Sequence, residues 1–183
     1  MEVRCSVFIA TSLDGFIARD NGSIDWLEKA NATVPKGEDC GYGEFFSTVD
    51  ALVMGRNTFE QALSFPQWPY GVKPIYVLSH TMRVLPASAP ASVHLVTEQP
   101  PALLRALAEQ GIHHVYVDGG QTIQTFLVAG LINELTVTTV PLLLGSGKPL
   151  FGNLPRDISL QLLSSKSYPF GFVQSKYRIE SGD

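Results

Sequence analysis

Charge and cysteine are scarce in this chain of 183 residues. Charged side chains make up 16% of it, and 13 basic against 17 acidic residues leave a net charge of −4. A weak negative balance without a basic cluster argues against binding to nucleic acid or to an anionic membrane surface. The two cysteines, Cys5 and Cys40, are too few for a disulfide framework and form no zinc pattern with the histidines. We therefore expect no metal centre.

Long apolar runs are also lacking. The longest covers seven residues, 126–132, whereas a membrane helix requires about 20. The beginning of the sequence shows no signal-peptide pattern, so we expect a cytoplasmic protein. Apolar residues nevertheless make up 45% of the chain, which excludes intrinsic disorder. The length predicts a single domain over residues 1–183.

Short apolar segments alternate with helix-like segments along the first two thirds of the sequence. The pattern predicts strands over 4–12, 51–54, 75–78, 93–96 and 113–117, and helices over 42–48, 57–63, 100–110 and 120–129. Continuous apolar runs of this kind are typical of parallel strands that are covered on both faces. Residues 15–40 show only weak periodicity and are predicted to form a long loop, which in a compact domain is usually functional.

The last third of the sequence has a different pattern. It predicts strands over 135–140, 158–163 and 172–179, and the last two alternate apolar with polar residues. Alternation indicates antiparallel pairing with one solvated face. The whole order predicts an α/β fold with three α/β/α layers, in which a twisted, mixed and mostly parallel sheet ends in an antiparallel C-terminal edge.

The first candidate site lies where the strand over 51–54 runs into a helix. Gly55 lets a backbone come close, and Arg56 supplies a cationic fork beside the free amides of a helix start. These groups together favour an anion. The alternative is simple helix capping by Asn57 or Thr58, with Arg56 on the surface.

The second candidate site is the strand end at Val117 and Asp118, followed by Gly119 and Gly120. Adjacent glycines at a helix start permit the close approach of a flat or phosphorylated ligand. This junction lies about 65 residues after the first, and both could flank one crevice at the carboxyl ends of the strands. Asp118 either contacts a substrate there or caps the helix.

Several other residues allow two interpretations. Asp14 fits a turn better than a catalytic role, and Asp25, which precedes Trp26, fits either. Trp68 and Tyr70 lie in a loop, where they could stack on a heterocycle or close the edge of the core.

The order of these segments resembles the dihydrofolate reductase-like superfamily nearly from end to end. Residues 54–58, with the sequence MGRNT, are similar to its phosphate loop, and residues 77–80 to the turn that takes the adenosine 2′-phosphate. Residues 117–120 are similar to the glycine pair that meets the nicotinamide and diphosphate. Ala10 corresponds to an alanine whose backbone binds the nicotinamide carboxamide.

Within that superfamily, the sequence SLDGFIA at 12–18 resembles the reductase domain of riboflavin biosynthesis. Asp118 matches an acid that those reductases carry before the glycine pair, and residues 140–147 resemble their small stand-alone bacterial members. Two positions depart from the pattern. Phe8 stands where those reductases usually have a lysine, and Phe16 where they usually have an arginine.

The resemblance implies an NADPH-dependent oxidoreductase that transfers hydride to a C=N or C=O bond of a small polar, pterin-like or aminouracil-like compound. A substrate similar to 5-amino-6-(5-phosphoribosylamino)uracil fits this class. The alternative is a non-catalytic NADP(H)-binding module, either a cofactor sensor or an assembly subunit. A hydrolase using Asp14 and Asp25 is a third possibility, although no nucleophile supports it. Stand-alone relatives are commonly homodimers, so the resemblance also implies a homodimer.

The implied residues fall into three groups. Those expected to bind the cofactor are Ala10, Gly55, Arg56, Asn57, Thr58, Leu78, Ser79, His80, Arg83, Gly119, Gly120, Gln121, Thr122 and Ile123. Those expected on the substrate side are Asp118, Trp26, Phe46, Trp68 and Tyr70. The candidate catalytic acids are Asp118, Asp14 and Asp25.

Overall fold

A computed structural model describes residues 3–180, and its centre is one eight-stranded sheet with helices on both faces. The strands are β1 (Arg4–Ser12), β2 (Phe16–Ala18), β3 (Ala51–Gly55), β4 (Ile75–Leu78), β5 (Val93–Val96), β6 (His114–Asp118), β7 (Glu134–Val140), β8 (Lys148–Pro149), β9 (Leu160–Ser167) and β10 (Val173–Ile179). The helices are α1 (Asp25–Asn31), α2 (Tyr42–Thr48), α3 (Arg56–Leu63), α4 (Pro100–Glu109) and α5 (Gly120–Val128).

The strand order in the large sheet is β5-β4-β3-β6-β1-β7-β10-β9. The pairs from β5 to β7 are parallel, and β10 pairs antiparallel with both β7 and β9. A separate two-stranded sheet joins β2 to β8. The predicted α/β class, with a mostly parallel sheet and an antiparallel C-terminal edge, is confirmed.

Two hydrophobic clusters lie on opposite faces of the sheet because side chains alternate along each strand. On one face, Val115 and Val117 of β6 pack with apolar residues of α4 and α5. On the other face, Tyr116 packs with α2 and with Phe59 of α3. The sheet therefore forms the middle of three layers. None of the helices within residues 3–180 has the length and apolar character needed to cross a membrane.

The predicted loop over 15–40 is the clearest error in the expected element order. It contains β2 and the seven-residue α1. The strand is too short to show a period, and it forms by pairing with β8, which lies about 130 residues away in sequence. The helix is amphipathic over two turns only, with Trp26 buried and Asp25 in an ion pair with Lys29. Neither signal is long enough to be read from sequence periodicity.

The C-terminal edge also differs from expectation. The predicted strand over 158–163 begins two residues later, at Leu160, and continues to Ser167. All eight of its residues are exposed, although their alternation predicted a buried face. The apolar side chains of β9, the last strand of the sheet, are thus left uncovered in a single copy. Inward from this edge, Gln174 of β10 donates hydrogen bonds of 2.9 Å to the carbonyl oxygen of Cys40 and to Oγ1 of Thr138.

Candidate active site

The two glycine-containing junctions lie side by side. Strands β3 and β6 are parallel neighbours, so the helices that follow them, α3 and α5, begin at the same edge of the sheet. The residues before these helices are Gly55 and Gly119, which have no side chain with which to cap them. The predicted caps Asn57 and Thr58 lie inside α3 instead. The first backbone amides of both helices are therefore free of such caps and suited to an anion.

Threonine side chains bring the two junctions into contact. A Cβ added to Gly119 would clash with Oγ1 of Thr58 on α3. In the same way, a Cβ added to Gly55 would lie 3.0 Å from Oγ1 of Thr122 on α5. Gly119 also has φ 89° and ψ 134°, a backbone conformation that is open to glycine and strained for other residues. The two junctions therefore lie together. We call the place where they meet the crevice, and ligand binding there stays a prediction.

The small sheet of β2 and β8 borders this crevice. A Cβ added to Gly120 would lie 2.7 Å from Cδ1 of Ile17 and 3.4 Å from the carbonyl oxygen of Pro149. The backbone at Gly120 is thus closely covered from the side of β2. This strand lies within the segment that the sequence predicted to be a functional loop.

A polar turn lies beside the crevice at the end of β4. The Ser79 hydroxyl oxygen accepts hydrogen bonds from two backbone amides of that turn. Arg56 Nη1 donates to Oγ1 of Thr81 in the same turn, at 3.4 Å, and so links it to the start of α3. His80 and Arg83 are exposed on this turn. Thr81, which no motif had indicated, thus joins Arg56, predicted to hold the diphosphate, to the turn predicted to hold the 2′-phosphate.

Asp118, the last residue of β6, lies half-buried next to the crevice, and we call its surroundings the recess. Its Oδ1 accepts a hydrogen bond of 2.8 Å from the Gly119 amide, and its Oδ2 one of 3.2 Å from the Tyr70 hydroxyl. The residue keeps partial contact with solvent, yet burial raises the pKa of its carboxyl. The hydrogen bonds from Gly119 and Tyr70 lower the pKa by less than burial raises it.

Six rings form an aromatic cluster at this recess, namely Phe8, Tyr42, Phe45, Phe46, Tyr70 and Tyr116. The ring centroid of Phe8 lies 5.0 Å from that of Phe45 and 5.6 Å from that of Tyr42. The centroid of Phe46 lies 6.4 Å from that of Tyr70. In the pairing of β1 with β6, Ser6 is opposite Tyr116. Phe8 and Asp118, two residues further along each strand, therefore lie on the same face of the sheet.

The three tyrosines of the aromatic cluster are electrostatically coupled to Asp118. Burial is the largest cause that raises the pKa of Tyr42, Tyr70 and Tyr116, and the negative charge of Asp118 is the next. Their hydroxyl groups therefore stay protonated near neutral pH and can donate hydrogen bonds. The Tyr116 hydroxyl donates one of 2.8 Å to the carbonyl oxygen of Phe8.

Asp14 joins two loops. Its Oδ1 accepts hydrogen bonds from the Ser12 hydroxyl at 2.6 Å and from the Leu144 amide at 3.1 Å, and its Oδ2 accepts one of 2.7 Å from the Gly145 amide. The hydrogen bond from Ser12 is the largest cause that lowers the pKa of this carboxyl. These contacts support the interpretation of Asp14 as a turn residue.

Asp25 and Trp26 lie at the start of α1 and take part in other contacts. Asp25 accepts two hydrogen bonds from Arg19, of 2.5 and 3.1 Å, and these are the largest cause that lowers its pKa. Trp26 is buried in a third hydrophobic cluster with Tyr168 and Phe172, separate from the cluster that contains Tyr70 and Tyr116. The structure does not bring these two predicted site residues to the aromatic cluster.

Of the two loop aromatics, Tyr70 reaches the site and Trp68 supports it. Tyr70 is buried and contacts Asp118, while the Trp68 ring packs edge-on against Tyr70 at 5.3 Å and against Phe59 at 6.2 Å. Among residues 3–180, no group of three or more His, Cys, Asp or Glu side chains could hold a metal ion.

The sequence reasoning missed Tyr42, Phe45 and Tyr116. For Tyr116 a signal existed, because it precedes Asp118 by two residues on a strand and so must share its face. Tyr42 and Phe45 reach the site only through the packing of α2 on the sheet. No local pattern indicates that packing.

The chain matches known proteins over nearly its whole length. The sequence profile of the RibD C-terminal domain family matches residues 5–173. This chain belongs to the RibD C-terminal domain family. The resemblance to riboflavin-biosynthesis reductases predicted from the sequence is therefore confirmed, and membership in this reductase-like family supports an oxidoreductase.

Two relatives of the RibD C-terminal domain member come from Bacillus subtilis strain 168, and both are uncharacterized proteins. YwjB is 34% identical over 172 residues, which cover 92% of this chain and 94% of YwjB. YyaP is 26% identical over 178 residues, which cover 92% of this chain and 91% of YyaP.

Solved structures give the same result. A Shewanella sp. PV-4 protein named for riboflavin biosynthesis is 41% identical, with a TM-score of 0.90 over 99% of this chain and 100% of that one. A Thermotoga maritima diaminohydroxyphosphoribosylaminopyrimidine deaminase/5-amino-6-(5-phosphoribosylamino)uracil reductase has a TM-score of 0.73 and 15% identity, and the match covers 98% of this chain and 57% of that one. This second likeness shows the fold alone.

Proposed function

We propose that this RibD C-terminal domain member is an NADPH-dependent reductase that acts on a C=N or C=O bond of a small polar compound, pterin-like or aminouracil-like. The observation that carries the proposal is the crevice in which the starts of α3 and α5 meet beside Asp118. It combines a site for anionic phosphates with an acid next to it. When bound there, NADPH supplies the hydride, and the protein holds and orients the reactants.

Two features of the crevice support binding of the phosphates of a dinucleotide. Gly55 and Gly119 place no side chain over the helix starts, and both helix starts favour negative charge. Residues proposed to hold the diphosphate are Arg56, Asn57, Thr58, Gly119, Gly120, Gln121 and Thr122. Those proposed to hold the 2′-phosphate are Ser79, His80, Arg83 and Thr81.

Asp118 is the proposed acid on the substrate side. Because burial raises the pKa of its carboxyl, Asp118 keeps its proton to higher pH than an ordinary carboxyl and can donate it to the substrate. Asp14 and Asp25 have pKa values shifted in the opposite direction and oxygens engaged by neighbouring groups. We therefore propose Asp118 alone as the group that donates a proton to the substrate.

A thermal-shift titration with NADPH and NADH side by side tests the cofactor site. A ligand at about 100 times its Kd adds about 2.7 kcal/mol, which corresponds to a rise in Tm of about 5–10 °C for a domain of this size. We expect NADPH to give the larger shift, and Arg56→Ala to reduce it. Arg105→Ala, on the exposed face of α4, is the matched control and should leave the shift unchanged. Equal shifts with both nucleotides, or none, would contradict the proposal.

A non-catalytic NADP(H)-binding module is the second candidate function. Phe8 and Phe16, which replace the lysine and arginine usual in riboflavin reductases, are the observation in its favour. Strong NADPH binding without NADPH oxidation on any aminouracil, pterin or aldehyde would favour this candidate over the reductase.

We also propose that the functional unit is a homodimer. The face of the sheet at β7, β9 and β10 contains an apolar groove of about 310 Å³, lined in part by Phe151, Leu160 and Tyr177. Leu162 lies on the same exposed edge strand and is 54% exposed. An apolar strand at the edge of a sheet needs a cover, which a second copy of the chain can supply. The cytoplasmic location stays a prediction.

A further inference from the structure

We infer that the recess at Asp118 selects a flat, unphosphorylated compound with a basic C=N nitrogen, which is bound and reduced in its protonated form. This inference rests on the proposed reductase function and narrows its substrate class. It follows from three features, namely the carboxyl group of Asp118 without an ion pair, the aromatic cluster, and the engagement of nearby lysines by other groups.

The first feature is a carboxyl group without a cation. Asp118 makes hydrogen bonds to neutral partners, Gly119 and Tyr70, and forms none of the ion pairs found among residues 3–180. Its negative charge also acts on the hydroxyl group of Tyr42 and raises the pKa of that group. A desolvated charge without a partner costs free energy. A ligand that brings a positive charge or a proton offsets that cost.

The second feature is the aromatic cluster. The rings of Phe8 and Phe45 are nearly parallel at 5.0 Å, as are those of Tyr42 and Phe46 at 5.5 Å. Ring faces carry partial negative charge, so they attract cations and stack on flat heterocycles. The same faces are unfavourable neighbours for a phosphate group. The rings and the carboxylate therefore favour the same kind of ligand, a flat cation.

The third feature is that the neighbouring lysines are engaged by other groups. The Lys73 ammonium donates to the carbonyl oxygen of Val49 at 2.5 Å and lies 5.0 Å from the centre of the Phe46 ring. Lys176 pairs with Glu134 at 3.0 Å. Phe8 lies on the same face as Asp118, at the position where riboflavin reductases usually have a lysine. No ammonium group is therefore present at position 8 to bind a substrate phosphate.

The chemistry of the step balances with the reductase function. The nitrogen of the C=N group takes the proton that it shares with Asp118, which makes the carbon more electrophilic. As the hydride forms a new C–H bond, the C=N π bond breaks and its electron pair goes to nitrogen. The product is the saturated amine, NADPH is oxidised to NADP⁺, and Asp118 regains a proton from solvent.

A binding experiment with two isosteric probes tests the charge preference directly. Protonated 2-aminopyridine offers two parallel N–H donors and a positive charge, whereas 2-pyridone has the same shape without the charge. We expect 2-aminopyridine to bind at least about tenfold more tightly in an NMR titration near neutral pH. Asp118→Asn, which keeps the side-chain shape, should remove the difference. Equal binding of the two probes to the wild type would overturn the inference.

Position 8 offers a matched pair of variants. Phe8→Lys places an ammonium beside Asp118, so it should abolish binding of 2-aminopyridine and improve binding of a phosphorylated compound. Phe8→Leu removes the ring without adding charge and should keep the preference for 2-aminopyridine over 2-pyridone, with weaker binding of both. If Phe8→Lys binds 2-aminopyridine as well as Phe8→Leu does, the recess does not discriminate by charge.

Turnover separates this inference from the proposed function. With NADPH present, 5-amino-6-(5-phosphoribosylamino)uracil is compared with the same compound after removal of its phosphate. We expect the dephosphorylated form to have a kcat/KM at least about tenfold higher. A preference for the phosphorylated form would overturn the inference and leave the reductase function intact. NADPH binding without oxidation on either compound, or on a cyclic imine, would contradict both.

Discussion

At the scale of single residues, Asp118 shows how the fold raises the pKa of a carboxyl group above its value in water. Its neighbours are rings and neutral donors, and burial outweighs their hydrogen bonds in setting the pKa. The folded chain therefore binds the Asp118 proton more tightly than the unfolded chain does. The raised pKa favours proton donation by Asp118 but lowers the free energy of unfolding once the carboxyl group is ionised.

The pH dependence of stability is a measurable result of that opposition. Because the pKa of Asp118 is raised in the folded state, the free energy of unfolding falls as the pH rises from the ordinary value of 3.8 through the raised value. Asp118→Asn removes this loss. We expect the variant and the wild type to have similar Tm values near pH 4, and the variant to have the higher Tm at pH 8. Its kcat/KM should fall about 100-fold or more.

Differential scanning fluorimetry from pH 4 to pH 8 measures the first effect, and steady-state kinetics the second. Asp157→Asn, at an exposed position, is the control and should follow the wild type. A Tm advantage of Asp118→Asn that grows as the pH falls would contradict the assignment.

The sequence was sufficient to single out Asp118 as a candidate because a carboxylate at the end of an apolar strand, beside two glycines, is unusual. It was also sufficient for Thr58 and Arg56, which belong to a recognisable junction. The residues around Asp118 could be predicted only in part. Tyr70 was indicated by its loop, whereas Tyr42 depends on the docking of α2 across the sheet. Such contacts depend on tertiary packing, which has no local period.

At the scale of elements, the long periodic segments were predictable and the short ones were not. The predicted bounds of β1, β4, β5 and α2 agree with the structure at both ends. The elements missed are β2, β8 and α1, of three, two and seven residues. Pairing between distant segments creates the first two, and burial of Trp26 stabilises the third.

The junction between α3 and α5 gives a prediction at this scale. Gly119→Ala strains a backbone conformation suited to glycine, at a cost of about 1–3 kcal/mol, and places a methyl group against Thr58. We expect Tm to fall by at least about 4 °C and the NADPH-induced shift to be lost. Gly130→Ala is a matched control, since Gly130 also has a positive φ but open space around it.

The double variant Gly119→Ala/Thr58→Ala distinguishes strain from collision. It should recover part of the lost Tm, because the Thr58 hydroxyl is the nearest atom to the added methyl group. If Gly119→Ala lowers Tm no more than Gly130→Ala does, the two helix starts are not in tight contact.

At the scale of the whole molecule, one end of the sheet is covered and the other is open. Helices cover β3, β4 and β6 on both faces, whereas β9 is exposed along its full length. Leu160, Leu162 and Val173 at this end are 42%, 54% and 42% exposed. A surface of this kind favours self-association.

Light scattering tests this expectation. The wild type should have about twice the 19.9 kDa mass of one chain at micromolar concentration. Leu162→Lys should shift it to the single-chain mass, because a charge in the centre of an apolar interface is costly. Val72→Lys changes an equally apolar side chain, 92% exposed, outside this face and should leave the mass unchanged. A wild-type mass near 20 kDa at high concentration would contradict the dimer.

The side chain of Gln174 connects this open end to the segment that precedes α2. It lies on β10, next to the exposed strand, and bonds both to Thr138 in the sheet and to the Cys40 carbonyl, two residues before Tyr42. If the proposed dimer dissociates and its outer edge loosens, this side chain would carry the change to the segment before Tyr42 of the aromatic cluster. Dilution would then lower the specific activity of the proposed reductase.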